Sequence, residues 1–169
     1  AWDRRGLTAA LGYQFDPQHR LDVNLRSDGI YDAGFRGSGA NIYSEDDRYN
    51  QSIDLSYSGK TQDERIRWLV HGYKVRDVDD FRWASPIIRS STGTPALGTR
   101  SDYNERQLDI EGLRVQPGMT LWQGNDILIG WDWEKSRLRS DRYRVGVPGN
   151  NLTQIAPYDN NQTETVNAF

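Results

Sequence analysis

The stretch DILIGWDWEKSRLRSD, residues 126–141, alternates from its first residues. Ile127, Ile129, Trp131 and Trp133 fall on one parity, and Leu128, Gly130, Asp132 and Glu134 on the other. Successive side chains of a strand point to opposite sides, so one face is apolar and the other becomes charged along its length.

The same period recurs on both sides of this segment. GLTAALGYQF sets Leu7, Ala9, Leu11, Tyr13 and Phe15 against Thr8, Ala10, Gly12 and Gln14. After the turn signal DPQH, RLDVNLRSD sets Leu21, Val23 and Leu25 against Arg20, Asp22, Asn24 and Arg26, which predicts a hairpin. YNQSIDLSYSG aligns Ile53, Leu55 and Tyr57, and RIRWLVHGYKV aligns Ile66, Trp68 and Val70. YNERQLDIEGLRV puts Leu108 and Ile110 opposite Gln107, Asp109 and Glu111, and TETVNAF begins a seventh strand. The expected fold is an all-β, antiparallel up-and-down meander, with residues 1–169 forming one segment.

Connections are expected near 16–19, 34–47, 59–64, 78–101, 116–125 and 141–162, short and long in alternation. Short turns therefore gather at one end of the sheet and long loops at the other. Short periplasmic turns, longer external loops, an alternating apolar band and aromatic girdles characterise outer-membrane barrels. On that pattern Tyr13, Phe15, Tyr57 and Trp68 form a girdle at the short-turn end, and Trp131 and Trp133 lie further up the lipid side. Closed barrels and helices alone satisfy every backbone group in lipid, and this chain has no candidate helix. Some six or seven strands fall short of the roughly 8 of the smallest common barrels, so the segment is expected to be a section of a larger barrel or to close through other chains.

Composition excludes other classes. The chain has 24 acids against 21 bases, a net charge of -3 and no basic excess, which argues against a nucleic-acid partner. Only 36% of residues are hydrophobic and the mean hydropathy is -0.84, yet there are 6 Trp and 9 Tyr. Apolar character is thus concentrated in amphipathic rings. No apolar run approaches the roughly 20 residues of a spanning helix, and zero Cys removes disulfides and thiolate sites.

The hairpin LGYQFDPQHRLDVNLRSD, the segments YNERQLDIEGLRV and DILIGWDWEKS, and the approach PYDNNQTETVNAF together resemble the barrel of a TonB-dependent outer-membrane receptor, most nearly the haem and haemoglobin receptors. The resemblance implies a barrel of about 22 strands in the bacterial outer membrane, with a plug and a TonB-contacting segment that these residues do not contain. It further implies uptake of an iron carrier, haem or a ferric siderophore, driven through the inner-membrane TonB complex. No enzyme activity and no resident cofactor or metal are expected.

Haem needs an axial ligand, and the candidates His19 and His71 read as a turn residue and a mid-strand lumen residue. Ligand contacts are expected instead in the long loops, at Arg82, Trp83, Arg89, Arg100, Tyr103, Arg142, Tyr143 and Arg144. Guanidinium forks pair with carboxylates, and aromatic faces stack on a macrocycle or catechol. The acid runs SEDD (44–47) and DVDD (77–80) could hold Ca²⁺ but match no EF-hand loop, so they read as solvated charge. RGSGAN lacks the Lys-Ser/Thr of a phosphate loop, and Asn151 and Asn161 begin Asn-x-Thr triplets. Asp109, Glu111, Asp132 and Glu134 are expected to form lumen ladders with Arg20, Arg26, Arg65 and Arg67. The rival readings are a passive porin or adhesin-type barrel, and a soluble β-sandwich that binds carbohydrate with its Trp residues buried or stacked on sugar.

Overall fold

The computed structural model describes residues 2–34, 45–84, 88–89, 95–96, 100–146, 152–155 and 161–169. Its strands are β1 (Asp3–Asp16), β2 (His19–Gly34), β3 (Glu45–Lys60), β4 (Ile66–Ala84), β5 (Ile88–Arg89), β6 (Pro95–Ala96), β7 (Arg100–Trp122), β8 (Asn125–Leu128), β9 (Trp131–Gly146), β10 (Leu152–Ile155) and β11 (Asn161–Ala168). Nine of them form one antiparallel sheet in the order β1-β2-β3-β4-β7-β9-β10, with β8 on β7 and β11 on β9, while β5 and β6 pair separately. The meander expected from the alternation is present, and the sheet is open.

Local chemistry sets the turns at one end. In the β1–β2 turn the Asp16 carboxylate accepts the Gln18 N–H at 2.8 Å, and Pro17 holds the preceding corner. Between β3 and β4, the Thr61 N–H donates to the Ile66 carbonyl at 2.9 Å and the Thr61 hydroxyl to Asp63 at 2.6 Å. Gly124 supplies the positive φ of 84° that the β7–β8 turn requires.

β8 and β9 act as one strand. Both keep the same register against β7, from Thr120↔Asp126 and Gly118↔Leu128 to Val115↔Trp131 and Arg100↔Gly146. The break at Ile129–Gly130 comes from Pro117, which accepts the Ile129 N–H at 3.0 Å but has no N–H to return.

The strands are longer, and several connections shorter, than alternation predicts. The expected connection at 116–125 shrinks to Gln123–Gly124, because β7 runs to Trp122. Residues 78–84, 100–101 and 141–146, expected in loops, lie in β4, β7 and β9. The reason is physical: where both faces are polar no alternation remains to betray a strand, yet the backbone ladder continues. RGSGAN, Ser44 and Asn151 lie outside the described residues, and Asn161 opens β11.

Candidate functional site

Register pairing carries one parity across the sheet and divides it into two faces. One face holds Leu11, Val23, Leu55, Gly72, Leu113, Trp133 and Val166 in a single cross-strand row. The row nearer the turns holds Tyr13, Leu21, Tyr57, Val70, Val115, Trp131 and Ala168. Together with Trp68, Pro117, Ile129, Ile66, Met119 and Ile127 they make an apolar belt at the turn end. Leu11 is 73% exposed, Ile129 59% and Val166 58%, while Val78 is the one buried hydrophobic residue among those described. The sheet therefore has no apolar interior of its own.

Aromatic rings edge the belt as expected. Tyr13 and Phe15 meet edge-on at 4.9 Å, and Trp68 lies over Gly59, where a Cβ would overlap its ring. His19 joins this girdle: its Nδ1 lies 2.6 Å from the Tyr57 hydroxyl and its ring 5.6 Å from that of Trp68. His71 lies on the other face, 3.1 Å from Asp54.

That other face carries most of the polar and charged side chains, and its ion pairs differ from those expected. Arg114 binds Asp132 with two contacts, at 2.6 and 3.2 Å, and the Tyr73 hydroxyl donates to Glu134 at 2.6 Å. Arg20 pairs within its own strand with Asp22, Arg26 lies 3.6 Å from Asp28, and Arg67 lies 3.4 Å from Asp126. Arg65 donates to the Leu121 carbonyl. Asp109 and Glu111 belong to the belt face instead, where Asp109 takes Arg76 at 2.8 Å. The apolar phase of β7 inverts at Gly112: Leu113 and Val115 share the belt parity, whereas Leu108 and Ile110 pair with Leu138 and Ser136 on the polar face.

The same parity divides the residues expected to bind a ligand. Glu45, Arg82, Tyr103 and Tyr143 form one row on the belt face. There Arg82 contacts Glu45 at 3.0 Å and stands over the Tyr103 ring at 5.6 Å. Arg142 takes the alternate parity, opposite Asn104, and Asn104 is opposite Phe81. Trp83 is opposite Asp102, and Asp102 opposite Arg144. Arg100 is opposite Gly146, and Arg89 opposite Pro95 in the separate hairpin. Contrary to the loop placement expected of them, all eight lie on strands. Glu45, which anchors Arg82, escaped sequence reasoning because its partner is remote in the chain.

The two acid runs are brought together by the β3–β4 register. Asp47, Asp80, Glu105 and Asp141 form a row of carboxylates across the belt face, well beyond the belt. On the polar face, Arg48 sits between Asp46 at 2.9 Å and Asp79 at 3.3 Å, and Arg106 reaches Asp79 at 3.2 Å. Burial raises the Asp46 carboxyl above its ordinary value; the Arg48 guanidinium opposes the rise and Asp79 adds to it. Burial also raises Asp80, helped by Asp47, Glu45 and Asp79. No group of three acids or histidines among the described residues is arranged to hold a metal ion.

A carboxyl whose folded pKa is raised contributes stability below its unfolded pKa and loses it as pH rises through the folded value. Asp80→Asn is therefore expected to stabilise the protein at neutral pH by a few tenths to about 1 kcal/mol, with no gain at low pH. Denaturant midpoints measured across the acidic range test this; a gain independent of pH would exclude carboxylate crowding as its cause.

No family model, curated protein or solved structure matches the chain.

Proposed function

We propose that this chain is a section of a transmembrane β-barrel in the bacterial outer membrane, from a receptor of the TonB-dependent type that takes up haem or a ferric siderophore. It acts in transport, not catalysis. The belt carries this reading. A sheet with so much contiguous apolar surface and Val78 as its buried hydrophobic residue needs an external apolar phase. The polar parity then faces a wet or plug-filled lumen, and energy from the TonB complex enters through other parts of the receptor.

Strand length supports the same reading. At about 3.3 Å per residue the 23 residues of β7 extend roughly 75 Å, about three times the apolar band of such barrels. Only its turn end, Leu113 to Met119, presents apolar residues on the belt parity, so the remainder projects beyond the membrane. No second sheet of the described residues packs on the belt as a soluble sandwich would require.

Quenching by brominated acyl chains tests the assignment. The full-length protein in bilayers should lose much of its tryptophan fluorescence to the quencher, and a Trp131→Phe, Trp133→Phe variant should retain little of that quenchable signal. Tryptophans untouched by bromine would overturn the reading.

The two parities also sharpen the ligand expectation. A carrier entering the lumen meets the polar face, so Arg142→Ala should weaken binding of ferric protoporphyrin or a ferric catecholate by about tenfold. Arg82→Ala, on the belt parity and tied to Glu45, should change it less than about twofold. Equal losses in direct titrations of the full-length receptor would refute the parity argument.

A further inference from the structure

Immediately beyond the belt, on the same face, the residues change from apolar to cationic. The row next to Leu113 and Trp133 reads Lys74, Glu111, Lys135, and the following row reads Arg76, Asp109, Arg137. Arg139 follows on β9, opposite Gln107. These side chains border a groove of about 170 Å³, with Asp109 and Glu111 along its floor on β7 and the cations on β4 and β9 as its walls.

The walls hold more positive charge than Asp109, Glu111 and Glu164, which stands opposite Lys135 on β11, can neutralise. Arg76 is bound to Asp109, and Arg137 donates to the Gln162 amide oxygen at 3.3 Å. Lys74, Lys135 and Arg139 form no ion pair among the described residues. β4 and β9 are separated by one strand, so the walls stand roughly 10 Å apart, wide enough for a phosphate group to be reached from both sides. Ammonium and guanidinium groups are strong phosphate donors, and Arg can grip two oxygens at once.

Position selects the source of that phosphate. The groove lies one row, about 7 Å along the strands, above Leu113 and Trp133, and the Trp133 indole N–H donates to Glu164 at 2.6 Å in that same step. A ring with an apolar body and a bonded polar edge suits the boundary between hydrocarbon and headgroup. On the far side, the carboxylates of Asp80, Glu105 and Asp141 repel an anion that moves further out. An anion is thus confined to a narrow band whose lower border is apolar.

We propose that this groove binds the phosphorylated headgroup of a membrane lipid, whose acyl chains run down the belt along Leu113, Trp131 and Trp133. The inference rests on the belt facing lipid, and extends it by naming a headgroup class and the residues that select it. The sequence signal is the alternation of bases in KVR (74–76) and KSRLR (135–139), which places each cation on one face of its strand.

The test uses the full-length protein in detergent, titrated separately with phosphatidic acid, phosphatidylcholine and inorganic phosphate, with tryptophan fluorescence as readout. The parent should bind phosphatidic acid in preference to phosphatidylcholine. The combined Lys74→Gln, Lys135→Gln, Arg137→Gln, Arg139→Gln variant should bind phosphatidic acid at least about tenfold more weakly. Inorganic phosphate that binds the parent as tightly as phosphatidic acid would make the groove a soluble-anion site and overturn the lipid assignment. Brominated-lipid quenching of parent and variant separates the two levels of inference. Quenching in both, with phosphatidic acid affinity unchanged by the substitutions, defeats the groove and leaves the belt standing; no quenching in the parent defeats both.

Discussion

Val115→Arg should cost about 2–4 kcal/mol of folding free energy in a bilayer, whereas Gln116→Arg, one residue away, should stay within about 0.5 kcal/mol. Val115 lies mid-belt between Val70 and Trp131, and Gln116 is opposite Leu69 on the polar face. On the proposed reading a cation at the first position would enter hydrocarbon; at the second it would join a surface already holding Arg67 and Arg114. Urea titrations of folding into vesicles give both values on one scale. If the two substitutions cost the same, the belt is not immersed in an apolar phase.

Gly112→Val is the second substitution with a large expected effect. Gly112 is buried on the polar face beneath the Tyr73 ring, and a Cβ there would overlap that ring. Tyr73 is held over the glycine by its hydrogen bond to Glu134, so it must either give up that bond or tilt the β4–β7 pairing. Overpacking of this kind costs about 1–3 kcal/mol. In a Tyr73→Ala background the same valine has room, and the cost should fall below about 0.5 kcal/mol. A penalty independent of Tyr73 would locate the constraint in the backbone rather than in the stacked ring.

How much of this was legible in the residues depends on where the belt ends. Inside it, one face is apolar and the other polar, so β1, β2, the turn end of β4 and the paired Trp residues of β9 follow directly from period-two alternation. Beyond it both faces are polar, and Asp77–Arg82 or Asp141–Arg144 look like loop although they continue the ladder. The phase inversion at Gly112 was hidden for a related reason: Leu108 and Ile110 alternate as cleanly as Leu113 and Val115, and only pairing to Leu138 and Trp133 tells which pair lies on which side. Ion pairs were least legible, because Glu45–Arg82 and Arg114–Asp132 are fixed by register rather than by spacing. The eight expected ligand contacts rest on residue type and an expected loop position, whereas they lie on strands and parity across the sheet divides them.

The upper limit of the belt has a geometric consequence. It lies at Leu7 in β1, at Leu25 and Ile53 in β2 and β3, and at Gly72 and Leu113 in β4 and β7, so in register terms it climbs towards β1. If the proposed membrane boundary is level, a limit that shifts about one residue per strand implies strands inclined roughly 35° to the membrane normal, since one residue advances about 3.3 Å and neighbours stand about 4.8 Å apart. At that inclination each strand takes up roughly 6 Å of circumference. The seven side-by-side positions of this sheet would then cover roughly 40 Å of the perimeter of the proposed barrel, and its two free edges would set the height at which a further strand could pair.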